Sequence, residues 1–136
     1  PAPYRAQIER TGLADHVTLH DRYVPSKAVP AYFGAADVVV QPYVSATQSG
    51  VAQIAFHFER PVIVTDVGGL AEVVPHEAAG FVVPPEDPAA LADYIVRFFR
   101  EGWRDRLVAG VRRQKEHYHP DRLTDAIDDL LHGMNA

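Results

Sequence analysis

The stretch from Pro42 to Val74, "PYVSATQSGVAQIAFHFERPVIVTDVGGLAEVV", places a polar loop, a helix pattern and a strand pattern in succession. Just before the loop, the apolar run "DVVVQP" ends in a proline, which is typical of a strand buried on both faces. After the loop, apolar residues at positions 51, 54, 55 and 58 follow the spacing of one helix face. The run "PVIVTDVGG" then predicts a second buried strand that enters a glycine turn. Strand, helix and strand in this order indicate a parallel α/β sheet.

The same alternation continues through the rest of the chain. We predict helices at Tyr4–Leu13 and Ser26–Ala36, and strands at His16–Val24, Asp37–Pro42, Pro61–Gly69 and Gly80–Pro85. Asp87 followed by Pro88 is a strong start signal for a helix, and two further amphipathic segments come after it. The fold class is therefore α/β, a doubly wound parallel sheet of the Rossmann-like type. It has about four strands where a full nucleotide-binding fold has about six, so either the sheet is small or its first strands precede Pro1.

The composition excludes several classes of protein. The 136 residues suffice for one domain or for part of one. A net charge of −5 with scattered basic residues argues against a nucleic-acid partner. There are no cysteines, so a disulfide framework and a thiolate zinc site are excluded. No apolar run approaches the roughly 20 residues of a membrane span, and the start of the chain does not resemble a signal peptide, so we expect a cytoplasmic location.

The best candidate site is the loop from Thr47 to Val51. Ligands of open α/β sheets bind in the loops at the carboxyl ends of the strands. Ser49, Gly50 and Val51 lie where a helix begins, and main-chain N–H groups there suit a phosphate. Gly50 allows close approach of an anion, and the hydroxyls of Thr47 and Ser49 can add hydrogen bonds. From the residues alone the alternative stays open that a Ser or Thr merely caps the helix and the glycine eases the turn.

Other patterns in the chain give weaker indications of a site. "DVGGL" is not the G-x-G-x-x-G fingerprint of a dinucleotide site. Ser49 is a poor hydrolase nucleophile, because Thr47 stands where G-x-S-x-G has its first glycine. His117, His119 and His132 are best interpreted as solvated surface residues rather than metal ligands. We therefore expect no metal and no cofactor.

Three segments in order, "FGAADVVVQP", "PVIVTDVGGLAEVV" and "GFVVPPEDPAALA", carry a resemblance to a known family. The chain from about Val17 to Phe99 resembles the C-terminal domain of retaining glycosyltransferases of the GT-B architecture (glycosyl transferases group 1, similar to glycogen synthases and mannosyltransferases). The resemblance implies transfer of a sugar, hexosyl in kind, from a nucleotide-diphospho-sugar to an acceptor hydroxyl with retention. It also implies that residues 1–136 form a single donor-binding domain, a fragment whose early strands and acceptor domain precede Pro1. Such a fragment is expected to be inactive by itself and to supply no catalytic residue.

The resemblance also assigns roles within the donor site. It places Tyr23 and Val24 against the nucleobase, Thr47 and Gln48 beside the sugar or its phosphate, and the amides of Ser49, Gly50 and Val51 on the diphosphate. The chain departs from the family at two positions, where Ala46 and Ile54 replace a pair of glutamates separated by seven residues. Neither side chain can accept a hydroxyl proton. Gln53 is then the candidate for contact with the ribose.

The partners that follow are a nucleotide-sugar donor and an acceptor held mainly by the missing N-terminal domain. The full-length protein is expected in the cytoplasm, with room for peripheral association with the cytoplasmic membrane face. Two alternatives remain open: a regulatory α/β domain that binds phosphate or nucleotide without catalysis, and an interaction module that has lost donor binding.

Overall fold

The structure, a computed structural model, describes residues 2–20, 24–44, 50–116 and 127. The described elements are α1 (Ala2–Arg10), a 3₁₀ turn (Ser26–Ala28), α2 (Val29–Ala35), β1 (Val39–Gln41), α3 (Val51–His57), β2 (Val62–Thr65), α4 (Leu70–Val73), β3 (Gly80–Val83), α5 (Pro88–Arg100) and α6 (Arg104–Lys115).

The three strands form one parallel sheet in the order β1-β2-β3. All four residues of β2 are buried, as expected for the central strand of a parallel sheet. Val62 and Val64 pack in one apolar cluster with residues of α3, α4 and α6. Ile63 points to the other face and packs with Phe98 of α5. Helices therefore cover both faces, and the predicted doubly wound parallel α/β sheet is confirmed.

The prediction of a strand at His16–Val24 is wrong over its described part. Residues 17–20 belong to no strand, and Asp21–Tyr23 lie outside the described residues. The amides of His16 and Val17 donate to the carbonyl of Leu13 at 2.9 and 3.0 Å, so the run begins in a turn after α1. The described residues therefore contain three strands rather than about four.

The helix start predicted at Asp87 is confirmed. The Asp87 carboxylate accepts a hydrogen bond from the amide of Ala90 at 3.0 Å, and Pro88 occupies the first helical position. Both features act locally, because a carboxylate at the cap satisfies an amide of the first turn and proline has no amide to satisfy. Of the last predicted helix, the structure describes Ile127 alone, in helical conformation.

Two glycines allow unusually close packing around the connection between α4 and β3. A Cβ atom added at Gly80 would lie 1.7 Å from the carbonyl oxygen of Val62 in β2. A Cβ atom added at Gly110 in α6 would lie 1.6 Å from the carbonyl oxygen of Ala78. The segment Pro75–Ala79 therefore lies between two tight backbone contacts, one with the sheet and one with α6.

Candidate functional site

The candidate site lies where the three parallel strands end. The chain leaves β1 at Pro42, β2 at Asp66 and β3 at Pro84, and these three exits share one edge of the sheet. The chain that leaves β1 returns at Gly50 to begin α3. In sheets of this kind the ligand site is built from such loops.

Two hydrogen bonds connect the exits with one another. The hydroxyl of Thr65, the last residue of β2, donates to the carbonyl of Tyr43 at 2.6 Å. The amide of Asp66 donates to the carbonyl of Val83, the last residue of β3, at 2.8 Å. The three strand ends are thereby held together, and the central one is bonded to both neighbours.

The start of α3 faces this edge. Gly50 is the N-cap residue, and its carbonyl accepts the first helical hydrogen bond from the amide of Ile54 at 3.1 Å. The amides of Ala52 and Gln53 precede that bond and are directed toward the amino end of the helix. Gly50 has φ −82°, which any residue can adopt, so the backbone conformation does not by itself require glycine here.

Apart from Val24, the predicted site residues separate into two groups. Gly50, Val51 and Gln53 come together in one turn and are all half-buried. The candidates outside the described residues are Tyr23, Thr47, Gln48 and Ser49, together with Ala46.

Val24 and Ile54 pack together on the side of α3 that faces α2. Ile54 is 0% exposed and forms a cluster with Val29, against which the half-buried Val24 and Phe58 also pack. A carboxylate at position 54 would be buried among apolar groups, which is costly without a partner. Ile54 is therefore a core residue.

His57 lies at the other end of α3 and takes no part in this edge. Burial, and then the ammonium group of Lys115, lower its pKa from the ordinary value of 6.5. Its ring lies edge-on to Phe58 at 4.9 Å. His57 is thus an exposed residue whose lowered pKa favours the neutral ring.

The structure also bears on metals and membranes, within the residues that it describes. No group of three or more His, Asp or Glu side chains there is arranged to hold a metal ion. His117, His119 and His132 lie outside that part of the chain. Nor does any described helix combine the length and apolarity needed to cross a membrane.

Sequence reasoning missed the contact between Thr65 and Tyr43. A proline directly after one strand and a threonine at the end of the next are visible in the sequence, but their proximity depends on the register of the sheet. That register becomes known only when the strands are paired.

Comparison with known proteins now settles the family. The model of the family Glycosyl transferases group 1 matches residues 1–101. This chain belongs to that family. The resemblance that the sequence motifs indicated is therefore confirmed.

Two relatives show how similar this chain is in sequence to other glycosyltransferases. It is 32% identical to a D-inositol 3-phosphate glycosyltransferase of Xylanimonas cellulosilytica over 126 residues, which are 92% of this chain and 30% of the relative. It is 33% identical to an uncharacterized glycosyltransferase of Methanocaldococcus jannaschii over 103 residues, 74% of this chain and 26% of that protein. The chain thus spans less than a third of the length of these relatives.

Solved structures share the fold. Sucrose-phosphate synthase from Thermosynechococcus elongatus superposes with a TM-score of 0.79 at 27% identity, over 96% of this chain and 33% of that one. HepE from Anabaena, solved in complex with UDP-glucose, superposes with a TM-score of 0.80 at 20% identity, over 97% of this chain and 36% of that one. These neighbours are GT-B glycosyltransferases, so the group 1 chain has the fold of one domain of that architecture.

Proposed function

We propose that the chain is the donor-binding domain of a longer glycosyltransferase. The reaction moves a sugar, hexosyl in kind, from a nucleotide-diphospho-sugar to an acceptor hydroxyl with retention at the anomeric carbon. Family membership carries this proposal, together with the position of Gly50 to Gln53 at the carboxyl edge of the sheet. HepE, a neighbour in fold, binds UDP-glucose, which makes uridine nucleotides the first ligands to test.

The proposed donor contacts follow the family resemblance. The amides of Ser49, Gly50 and Val51 hold the diphosphate, Thr47 and Gln48 lie beside the sugar or its phosphate, and Tyr23 and Val24 lie against the base. Gln53 is proposed for the ribose, since its amide group can both donate and accept hydrogen bonds. Its place in the first turn of α3, beside the fully buried Ile54, supports that assignment.

The chemical contribution of these residues is to stabilise the leaving group. Main-chain N–H groups aimed at the diphosphate are favourable to the negative charge that develops as the glycosidic bond breaks. The acceptor is held by other parts of the longer protein, so residues 1–136 alone give no turnover. We place the full-length enzyme in the cytoplasm, with room for peripheral association at the cytoplasmic membrane face.

Calorimetric titration of the full-length protein tests donor binding. UDP, GDP, ADP and UDP-glucose are titrated in turn, and at least one is expected to bind saturably and to raise the melting temperature with ligand concentration. Gly50→Val is expected to abolish that binding, because a side chain there obstructs close approach of the phosphate. Gly34→Val is the matched control, since a Cβ atom at Gly34 meets nothing within 4 Å.

The outcomes separate the parts of the proposal. Absence of saturable binding by the wild-type protein refutes donor binding and favours an interaction module. If Gly50→Val binds the nucleotide with wild-type affinity, the assignment of Gly50 to the diphosphate is refuted, whereas donor binding by the protein is not. Binding without sugar transfer to any of a panel of hydroxyl acceptors supports the regulatory alternative, and an inverted anomeric configuration in the product, measured by NMR, refutes retention.

A further inference from the structure

We infer that Thr65 is a positioning residue for the donor site, whose hydroxyl fixes the point at which the chain leaves β1. This inference rests on the proposed function, because Tyr43 begins the connection that leads from β1 to Gly50, and Gly50 is one of the proposed diphosphate contacts. Thr65 itself touches neither the substrate nor the reacting atoms in this assignment.

The register of the sheet shows why a side chain is needed at this position. Val39 pairs with Val62 and Gln41 with Val64, so the next position of the same register sets Pro42 beside Thr65. Proline has no N–H group and cannot donate to a parallel ladder. The main-chain ladder between β1 and β2 therefore ends one residue before β2 does.

Beyond the end of the main-chain ladder, the Thr65 hydroxyl supplies a hydrogen bond between β2 and the chain that leaves β1. It donates to the carbonyl of Tyr43, directly after the proline, at 2.6 Å. Thr65 is 3% exposed, and a hydrogen bond made away from water is stronger than one at the surface. Beyond this contact the chain turns outward, with Tyr43 40% and Val44 64% exposed. The hydroxyl thus anchors the first residues of the segment that ends at the proposed donor site.

Thr65 is itself held firmly from the opposite side. It pairs with Val83 of β3, and the amide of the next residue, Asp66, donates to the Val83 carbonyl at 2.8 Å. The position at which the chain leaves β1 is thereby fixed relative to β2, the central strand of the sheet.

The side chain that meets these requirements is threonine. A β-branched residue suits the central strand, and the hydroxyl supplies the donor. Valine keeps the shape without the donor, and serine keeps the donor without the methyl group. Because Tyr43 lies at the exposed edge, water can replace the lost donor in Thr65→Val, so the fold persists while the exit of β1 is less well fixed.

The test compares Thr65→Val and Thr65→Ser in the full-length protein, with Thr11→Val as the matched control. The Thr11 hydroxyl also donates to a main-chain carbonyl, that of Gln7 at 2.8 Å, but it lies after α1 and outside the three strand exits. The probes are UDP, or whichever of GDP and ADP binds the wild-type protein, and UDP-glucose as donor. We expect Thr65→Val to weaken nucleotide binding and raise the donor KM by up to about tenfold, because an indirect effect cannot exceed the free energy of the one hydrogen bond that is lost. Thr65→Ser is expected to remain within about twofold of wild type, and Thr11→Val to match it.

Amide hydrogen exchange provides a second measurement that does not depend on the ligand. Residues 43–50 should exchange faster in Thr65→Val than in Thr65→Ser, whereas the amides of β2 should exchange equally in both. This comparison separates a positioning role from general destabilisation, which would accelerate exchange in the strand as well.

Each outcome has one meaning. If the wild-type protein binds no nucleotide, the proposed function and the donor-site role of Thr65 both fail, and the exchange data then report only on whether the hydroxyl fixes the exit of β1. If the wild-type protein binds and Thr65→Val binds equally well, the inference is wrong and the proposed function stands. Equal losses in Thr65→Val and Thr65→Ser, or faster exchange throughout β2, would show that the hydroxyl has no positioning role.

Discussion

Replacing Gly110 by alanine sets helix propensity against packing, and the two effects have opposite signs. Gly110 lies in the interior of α6, where alanine is favoured over glycine by about 1 kcal/mol. The added Cβ atom, however, would lie 1.6 Å from the carbonyl oxygen of Ala78, whereas real Cβ atoms keep at least 3.0 Å. The contact is with backbone, which cannot rotate away, so α6 itself must move.

The magnitude follows from what α6 buries. Leu107 and Val111 are both 0% exposed and pack in the two clusters on opposite faces of the sheet. Overpacking typically costs about 1–3 kcal/mol, and lifting either side chain partly out of its cluster forfeits some of the roughly 1.5–3 kcal/mol gained by burying it. After subtracting the gain in propensity, we expect Gly110→Ala to lower the free energy of unfolding by about 1–4 kcal/mol.

Urea unfolding of the 136-residue chain measures this effect. Trp103 is its only tryptophan and packs edge-on against Phe81 at 5.1 Å, so its fluorescence reports on the core beneath α5 and α6. Gly34→Ala is the matched control, because Gly34 also lies in a helix but a Cβ atom there meets nothing within 4 Å. It should gain up to about 1 kcal/mol.

A Gly110→Ala chain at least as stable as wild type would show that no steric clash opposes alanine at this position. Equal losses of stability in Gly34→Ala and Gly110→Ala would show that the close contact with Ala78 is not the cause of the loss.

Four further substitutions test separate features, all by urea unfolding. Asp87→Ala removes the carboxylate that accepts a 3.0 Å hydrogen bond at the start of α5 and should cost about 1 kcal/mol. Asp93→Ala, which breaks an exposed ion pair on the same helix, should cost less than about 0.5 kcal/mol. The lowered pKa of His57 means that the unfolded chain binds its proton more readily, so wild-type stability should fall as the pH drops below 6.5, and His57→Gln should lessen that fall. Glu59 has φ +58°, so Glu59→Gly should relieve about 1 kcal/mol of backbone strain. The substitution also removes two ion pairs between Glu59 and α6, so the gain should be clearest at about 1 M salt, where those pairs are screened.

Each of these has its own contrary result. Equal losses in Asp87→Ala and Asp93→Ala would deny the capping role of Asp87. Parallel pH profiles for wild type and His57→Gln would show that His57 does not couple protonation to folding. A Glu59→Gly chain less stable than wild type at high salt would mean that the left-handed backbone is not strained.

Local signals in the sequence predicted most of the fold. Asp87 and Pro88 determine the start of α5 through contacts within one turn, so no knowledge of the rest of the chain was needed. The buried strand beginning at Pro61 was equally clear, because both of its faces are apolar. The run from His16 failed as a strand because strand formation requires a partner at the right distance, and the run's own residues do not specify one.

The candidate site was less accessible to sequence reasoning. The position of Gly50 before α3 followed from the helix pattern, and the structure confirms it. The same pattern placed Ile54 on the apolar face, and its complete burial agrees. Thr65 was overlooked because its role depends on the proline one strand away, and only the paired register brings the two side by side.

The tight contacts at Gly80 and Gly110 have a practical consequence for anyone who labels this protein. The segment between α4 and β3 resembles an ordinary surface connection, yet it has no room to accept an extra residue at Ala78 without separating β3 from α6. Turns that lack such contacts are better insertion points, since exposed loop tips tolerate added sequence best. Gly102 is one, because a Cβ atom there meets nothing within 4 Å. A split reporter or an affinity tag placed at Gly102 should leave the sheet intact, whereas the same peptide at Ala78 should prevent folding.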